Sequence, residues 1–250
     1  MIILHGLYGS SDNWVSIGRK LAGNFEVYLI DQRNHGRSPH SVEHNYQILK
    51  EDLLEFMNKQ SIEKAIIIGH SMGGKVAMFF AADYPEKISH LIVADISPRS
   101  YKTTNSNQLL AHNTIIKAMY NMDFYGITSR EDIDEILAKS IPESRIRQFL
   151  LKNIKRSKEN EYSWSLNIKT IKTELINIMD GLNESQQEIT GFPILFLKGE
   201  NSDYILNEDE KVIQKIFPYA DLETMPNAGH WMHAEQPELF IKKITNFILQ

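Results

Sequence analysis

Residues 66–74 read Ile66-Ile67-Ile68-Gly69-His70-Ser71-Met72-Gly73-Gly74, and this stretch decides the fold. The isoleucines have the continuous apolar character of a strand buried on both faces. Residues 75–82 behind them are compatible with a helix. Glycine, serine and glycine at 69, 71 and 73, between a strand and a helix, form the pattern of a nucleophile elbow. The turn is tight, so Gly69 and Gly73 leave space where a Cβ would collide with neighbouring backbone. Ser71 is thereby held at the strand's end with its hydroxyl exposed. The Met72 N–H, at the N-terminus of the new helix, can point at a developing oxyanion.

Outward from this unit, short apolar runs alternate with amphipathic stretches, the signature of a mostly parallel sheet flanked by helices. Strands are expected at 2–5, 26–31, 65–69, 90–96, 193–198 and 221–225. Tyr46, Leu49, Leu53, Leu54 and Met57 recur at helical spacing. So do Phe240, Ile241, Ile244, Phe247 and Ile248, behind a first-turn Pro237. Between 103 and 183 the pattern is helical only, through Ile115/Ile116/Met119, Ile133/Ile136/Leu137, Ile146/Phe149/Leu150 and Ile171/Leu175/Ile178. The expected organisation is an α/β core of residues 1–102 and 184–250, with an all-helical lid of residues 103–183. Insertion after the strand ending at Ile96 puts the lid near the carboxyl ends of the strands, where such folds bind ligands.

Bulk properties narrow the function. A chain of 250 residues with 42% hydrophobic content builds a real core in one domain with an insertion. A net charge of −5 offers no basic footprint, which argues against a nucleic-acid partner. Cysteine is absent, excluding disulfides, thiolate metal sites and a cysteine nucleophile, and fitting a reducing compartment. Residues 1–6 lack the basic and apolar regions of a signal peptide. No apolar run approaches the roughly 20 residues of a membrane span. The expectation is a cytoplasmic protein without a membrane partner.

A serine hydroxyl needs a base beside it. Of nine histidines, His230 has the best placement, in Asn227-Ala228-Gly229-His230-Trp231 after the last strand and before the last helix. It also satisfies the chain order serine, acid, histidine. His70 adjoins Ser71, but neighbours at a sharp turn point apart, and His233 is expected to aim elsewhere. The second oxyanion donor is expected from the loop Ile2-Ile3-Leu4-His5-Gly6-Leu7-Tyr8-Gly9, through the backbone N–H of Leu7.

Together these residues resemble the α/β-hydrolases, and more narrowly the YbfF-type esterases and acyl-CoA thioesterases, over nearly the whole chain. The resemblance is carried by 5–10 with Asp12-Asn13-Trp14, Asp31-Gln32-Arg33-Asn34-His35-Gly36-Arg37-Ser38-Pro39, 69–74, Asp95-Ile96-Ser97-Pro98, Gly199-Glu200-Asn201-Ser202-Asp203-Tyr204 and 229–231. Such proteins usually carry two further strands before the His-Gly strand, whereas here that strand begins almost at Met1. The resemblance implies short-to-medium acyl esters or acyl-CoA thioesters as substrates, with neither metal nor organic cofactor. It also implies that the loop 31–38 is architectural, Asp31 and Arg33 tying neighbouring loops together, rather than a source of catalysis by His35.

The acid is contested. The commoner family position, three residues past Gly199, is Ser202, which cannot carry charge. Asp203 is one residue further on, and Asp95 closes the preceding apolar strand. A buried unpaired carboxylate at 95 would be expensive, and a histidine partner would relieve that cost. The YbfF-type resemblance favours Asp95, with Ser202 as an auxiliary hydrogen-bonding member.

Weaker features remain. Trp231 is placed to wall the acyl pocket, and packing alone accounts for it equally well. In the lid, Met119, Tyr120, Met122, Phe124 and Tyr125 form an adaptable apolar cluster, mostly lid core, with some side chains at the substrate entrance. Arg145, Arg147, Lys152, Lys155, Arg156 and Lys158 read as a solvated helix face, or as contacts for coenzyme A phosphates. The framework also supports carbon–carbon bond hydrolysis, lyase or perhydrolase chemistry, and a receptor that only binds a ligand. On the assignment of the acid, Asp95→Asn is expected to cut turnover strongly and Asp203→Asn mildly. The reverse ranking in steady-state ester hydrolysis would overturn it.

Overall fold

The structure, a computed structural model, describes residues 1–103, 106–182 and 188–250; the expected 183/184 boundary of the lid lies outside the described residues. Six parallel strands form one sheet in the order β2-β1-β3-β4-β7-β8. They are β1 (Ile2–Leu4), β2 (Tyr28–Ile30), β3 (Ala65–His70), β4 (Ile88–Ala94), β7 (Ile194–Gly199) and β8 (Ala220–Met225). Alternation along each strand divides the core between the two faces. Ile3, Ile68, Ile92, Leu195 and Leu197 meet Trp14, Ile17 and Leu21 around α1 (Val15–Leu21) and Phe240, Ile244 and Phe247 of α10 (Pro237–Ile248). Ile2, Leu4, Ile67, Leu91, Val93 and Phe196 face the opposite way, against α2 (Tyr46–Lys59), α3 (Met72–Asp83) and α8 (Asp209–Ile216). β2 is an edge strand, and its three residues are only half-buried.

The chain leaves β1 for β2 on one side and later builds β3 and β4 on the other, so the strand order reverses between β1 and β3. A crevice opens at the carboxyl ends of strands at such a switch point. Two of the expected site elements sit there: the loop at Gly6 follows β1, and Ser71 follows β3.

Between Ala94 and Ile194 the chain forms α4 (Asn107–Tyr120), α5 (Arg130–Ala138), α6 (Ser144–Leu151), β5 (Ile154–Arg156), β6 (Tyr162–Trp164) and α7 (Ile168–Ile178). Ser106, Ser129 and Asn167 start three of these helices by accepting N–H groups of their first turns. The insertion is therefore not all-helical. An antiparallel hairpin joins α6 to α7, with Ile154 opposite Trp164 and Arg156 opposite Tyr162. Three-residue strands are too short to show a period of two against a helical background. Asn160, at a φ of 65°, supplies the left-handed turn residue. Ile115, Ile116, Ile133, Leu137, Leu150, Ile171 and Leu175 join the same apolar cluster as Leu4 and Ile67, so this segment shares the sheet's core.

Close backbone approach fixes the elbow. A Cβ on Gly69 would lie 2.3 Å from the Gly73 carbonyl oxygen, and one on Gly73 would lie 2.4 Å from that of Leu4. Both neighbours are backbone and cannot swing aside. Gly73→Ala is expected to cost about 3 kcal/mol, the upper end of overpacking. At about 2–4 °C per kcal/mol for a chain of this size, calorimetry should show Tm lower by roughly 10 °C. An unchanged Tm would mean that the contact between α3 and β1 is looser than described.

Candidate active site

Ser71 occupies the turn between β3 and α3 at φ 52° and ψ −119°, a strained conformation for a residue with a side chain. Strain of this kind marks functional sites when the surroundings enforce it, and here the glycine contacts enforce it. Met72 opens α3, so its N–H is among those without a partner inside the helix. The loop after β1 comes down on the elbow. A Cβ on Gly6 would stand 3.1 Å from Ser71 Cβ and 2.9 Å from His70 Nδ1. Leu7 and Ser71 therefore line the same space.

Asp95 follows β4 in the left-handed region, at φ 51°, with its N–H donating to the Leu197 carbonyl at 2.8 Å. Its side chain has no exposed surface. Three donors converge on it. Gly199 N–H reaches Oδ1 at 2.9 Å, and the Ser202 hydroxyl and His230 Nδ1, the latter at 2.7 Å, both reach Oδ2. Donors to each oxygen offset the desolvation of a buried carboxylate. An ionised Asp95 only accepts, so His230 carries its proton on Nδ1 and keeps the Nε2 lone pair free. Asp203 is exposed, and its backbone carbonyl accepts from Gln108 Nε2 at 2.9 Å. Of the two contested carboxylates, Asp95 is the one that meets His230.

Ser71, His230, Leu7 and Trp231 line one cavity of about 200 Å³, together with Ala111, His112, Ile115, Ile146, Phe149 and Leu150 of the inserted segment. Trp231 packs against Phe149 at 5.5 Å between ring centroids. Of the lid cluster, Met119 and Met122 are buried in the core as mostly expected, whereas Tyr120 and Tyr125 face solvent and none of the five lines this cavity. The basic stretch is not one helix face, for it runs from α6 into the hairpin. Arg147 is held by Asp134 at 2.9 Å and by the carbonyls of Ile141 and Pro142. A larger cavity, about 420 Å³, lies beside β1 and β2 among Asp31, Arg33, Asp52 and Phe56. It contains no serine–histidine pair, so volume alone does not mark the chemistry. Among the described residues, no group of three or more histidine or carboxylate side chains is gathered as a metal site.

Four residues at this site escaped the reading of the sequence. Tyr204 stacks on His230, with ring centroids 3.8 Å apart and planes 15° apart. The Tyr204 hydroxyl meets His112 Nε2 at 3.0 Å, so α4 reaches the imidazole through it. His70 and His233, expected to point away, both line the cavity. The His70 ring lies 4.7 Å from that of His230, and its Nε2 contacts the His230 carbonyl at 2.7 Å. His233 stacks on Trp14 at 4.1 Å. The only sequence signal for Tyr204 was its place in the motif with Ser202. For the histidines there was none, because their positions depend on where separate loops meet.

The loop 31–38 serves architecture. Asp31 accepts the N–H groups of Ser11 at 2.6 Å and Arg37 at 2.9 Å, and Arg33 pairs with Asp52. His35 lies buried beneath the Gly6 loop, its Nδ1 on the Arg33 carbonyl and its Nε2 accepting from Tyr8 N–H at 3.3 Å.

The chain belongs to the α/β-hydrolase fold family, whose model matches residues 1–237. It is 38% identical over 254 residues to the sn-1-specific diacylglycerol lipase ABHD11 of Danio rerio, covering 99% of this chain and 78% of the relative. It is 30% identical to Esterase YbfF of Escherichia coli, covering 99% and 92%. A solved structure, "Marine microorganism esterase", superposes with a TM-score of 0.95 at 50% identity, covering 98% of this chain and 94% of that one.

Buried neutral histidines make stability depend on pH. Burial lowers His44 to about 3, His112 to about 4 and His233 to about 3, and it also depresses His5, His35 and His70. Unfolded imidazoles titrate near 6.5, so below that pH the unfolded chain binds more protons than the folded one. Stability is then complete above about 6.5 and is lost progressively as pH falls toward 4 and 3. Tm measured at pH 4.5 should lie well below Tm at pH 7.5. Equal values would mean that these rings are not buried in the neutral form.

Proposed function

We propose that the chain is a serine esterase, with Ser71 as nucleophile, His230 as general base, Asp95 as the orienting acid and Ser202 as an auxiliary donor to that acid. The observation that carries the reading is His230, whose Nδ1 is held by a fully buried carboxylate while its ring lines the cavity that holds Ser71. Ser71 Oγ attacks the substrate carbonyl carbon as His230 Nε2 takes its proton. The N–H groups of Leu7 and Met72 donate to the resulting oxyanion. The intermediate collapses to an acyl-enzyme, and His230 returns the proton to the departing alcohol. A water then gives a proton to His230 and attacks the acyl carbon, releasing the acid and restoring Ser71.

The relatives named as esterases and a lipase support ester chemistry. Cavity size supports a short-to-medium acyl group: about 200 Å³ is somewhat more than the roughly 150 Å³ that accommodates benzene. The walls from α4 and α6 make the segment 103–183 a lid over the acyl group in this reading. Acyl-CoA thioesters are the second substrate class, favoured by the exposed Lys152, Lys155 and Lys158 on the lid. Arg145 and Arg147 already hold carboxylates. If the lysines meet phosphates, raising salt raises KM for an acyl-CoA and leaves that for a neutral ester unchanged; equal responses remove the phosphate contacts.

The direct experiment is hydrolysis of p-nitrophenyl esters of graded acyl length beside a Ser71→Ala control. Serine-dependent turnover with an optimum at short or medium length is the expected result. Ligand binding without turnover would favour a receptor, and carbon–carbon cleavage or peracid formation without ester hydrolysis would favour the other chemistries of the fold.

A further inference from the structure

The loop that carries His230 rests on a carboxylate outside the site described above. Glu235 ends α9 (Met232–Glu235) and turns its side chain back under the loop. Its Oε2 accepts the Gly229 N–H at 2.6 Å, and its Oε1 accepts the Trp231 N–H at 3.2 Å. These are the residues on either side of His230. The Glu235 side chain is only 13% exposed, and its counter-ion comes from the lid: Arg145 of α6 reaches Oε1 at 2.8 Å. The same guanidinium lies over the Trp231 ring at 5.4 Å, and Phe149, one turn along α6, packs on that ring too.

We propose that Glu235 is a positioning residue for His230, and that Arg145 makes the placement of this base depend on the lid being seated. The inference rests on His230 being the base of the proposed esterase. One carboxylate accepting two N–H groups holds the 228–229 and 230–231 peptide units, which bracket residues 229 and 230. Asp95 and Tyr204 set the imidazole, and His70 adds a contact to the His230 carbonyl. With the lid unseated, Glu235 would lose its counter-ion and Trp231 its cover, so closure and a correctly held base reinforce each other. The contacts meet at one element, the 229–231 loop, which gives the coupling a continuous physical route.

The test is a cycle of Glu235→Ala, Glu235→Gln, Arg145→Met and Arg145→Met/Glu235→Gln, assayed on a small neutral ester and normalised to active sites titrated with a fluorophosphonate. Misplacing a reacting group by about 1 Å costs about 100-fold in rate, so Glu235→Ala should lower kcat by about 10- to 100-fold with KM within about two-fold. Glu235→Gln keeps one accepting oxygen and should fall between wild type and Glu235→Ala. Arg145→Met, a change at a half-exposed side chain, should lower kcat by several-fold, and the double variant should match Glu235→Gln alone because Arg145 acts through the carboxylate. The downfield proton resonance of His230 Nδ1 gives a readout independent of substrate. It should shift or broaden in Glu235→Ala and Arg145→Met but not in the lid control Lys139→Ala. An unaltered kcat and resonance in Glu235→Ala, or additive losses in the double variant, would overturn the proposal. If the wild-type protein hydrolyses no ester, the esterase reading fails by itself, while the resonance still decides whether Glu235 holds His230. Should Glu235→Ala not fold, Arg145→Met and Glu235→Gln decide by the same criteria.

Discussion

A carboxylate with no exposed surface, at the end of a central strand, is the constraint on which the site depends. Asp95 would be costly there without partners. Its three donors come from the strand end at Gly199, the following loop at Ser202 and the distant loop at His230. Satisfying one buried charge therefore draws three separate segments to the same point. The imidazole is fixed in tautomer and direction by the same bond that relieves the carboxylate.

The opposite half of the site has a steric origin. Gly69 and Gly73 let α3 descend onto the carbonyls of β1, and Gly6 lets the next loop descend onto Ser71. Ser71, the Met72 N–H and the Leu7 loop are thus held by backbone contacts that leave almost no room for relaxation. The inserted segment completes the enclosure and tightens it. Asn153 donates to the Tyr8 carbonyl at 2.8 Å, and His112 meets Tyr204, which stacks on His230. The insertion shares the sheet's apolar core and also contacts loops on both sides of the cavity.

Much of this was legible in the chain. The elbow at 69–73 and the histidine after the last strand are local patterns with strong chemical demands, and each names a position. The two-sided strands were legible as well, because burial on both faces leaves an unbroken apolar run. What failed was short or relational. The hairpin at 154–164 was too brief to show a period. Met119 and Met122 are buried in the core as mostly expected, but no side chain of their cluster reaches the cavity, since composition says nothing about which helix face points inward. His70 and His233 were set aside by an argument from local geometry, and the fold returned both to the cavity wall.

The sequence by itself determined the architecture, the elbow and the candidate residues, because these follow from hydrophobic periodicity and from glycine, serine and histidine at fixed spacing. It left Asp95 and Asp203 open, since both are carboxylates within reach of a plausible loop. Only the tertiary structure separated them: the turn after β4 buries Asp95 against Gly199, Ser202 and His230, whereas Asp203 is left facing water. That distinction is one of solvation and distance, and both are properties of segments brought together from across the chain.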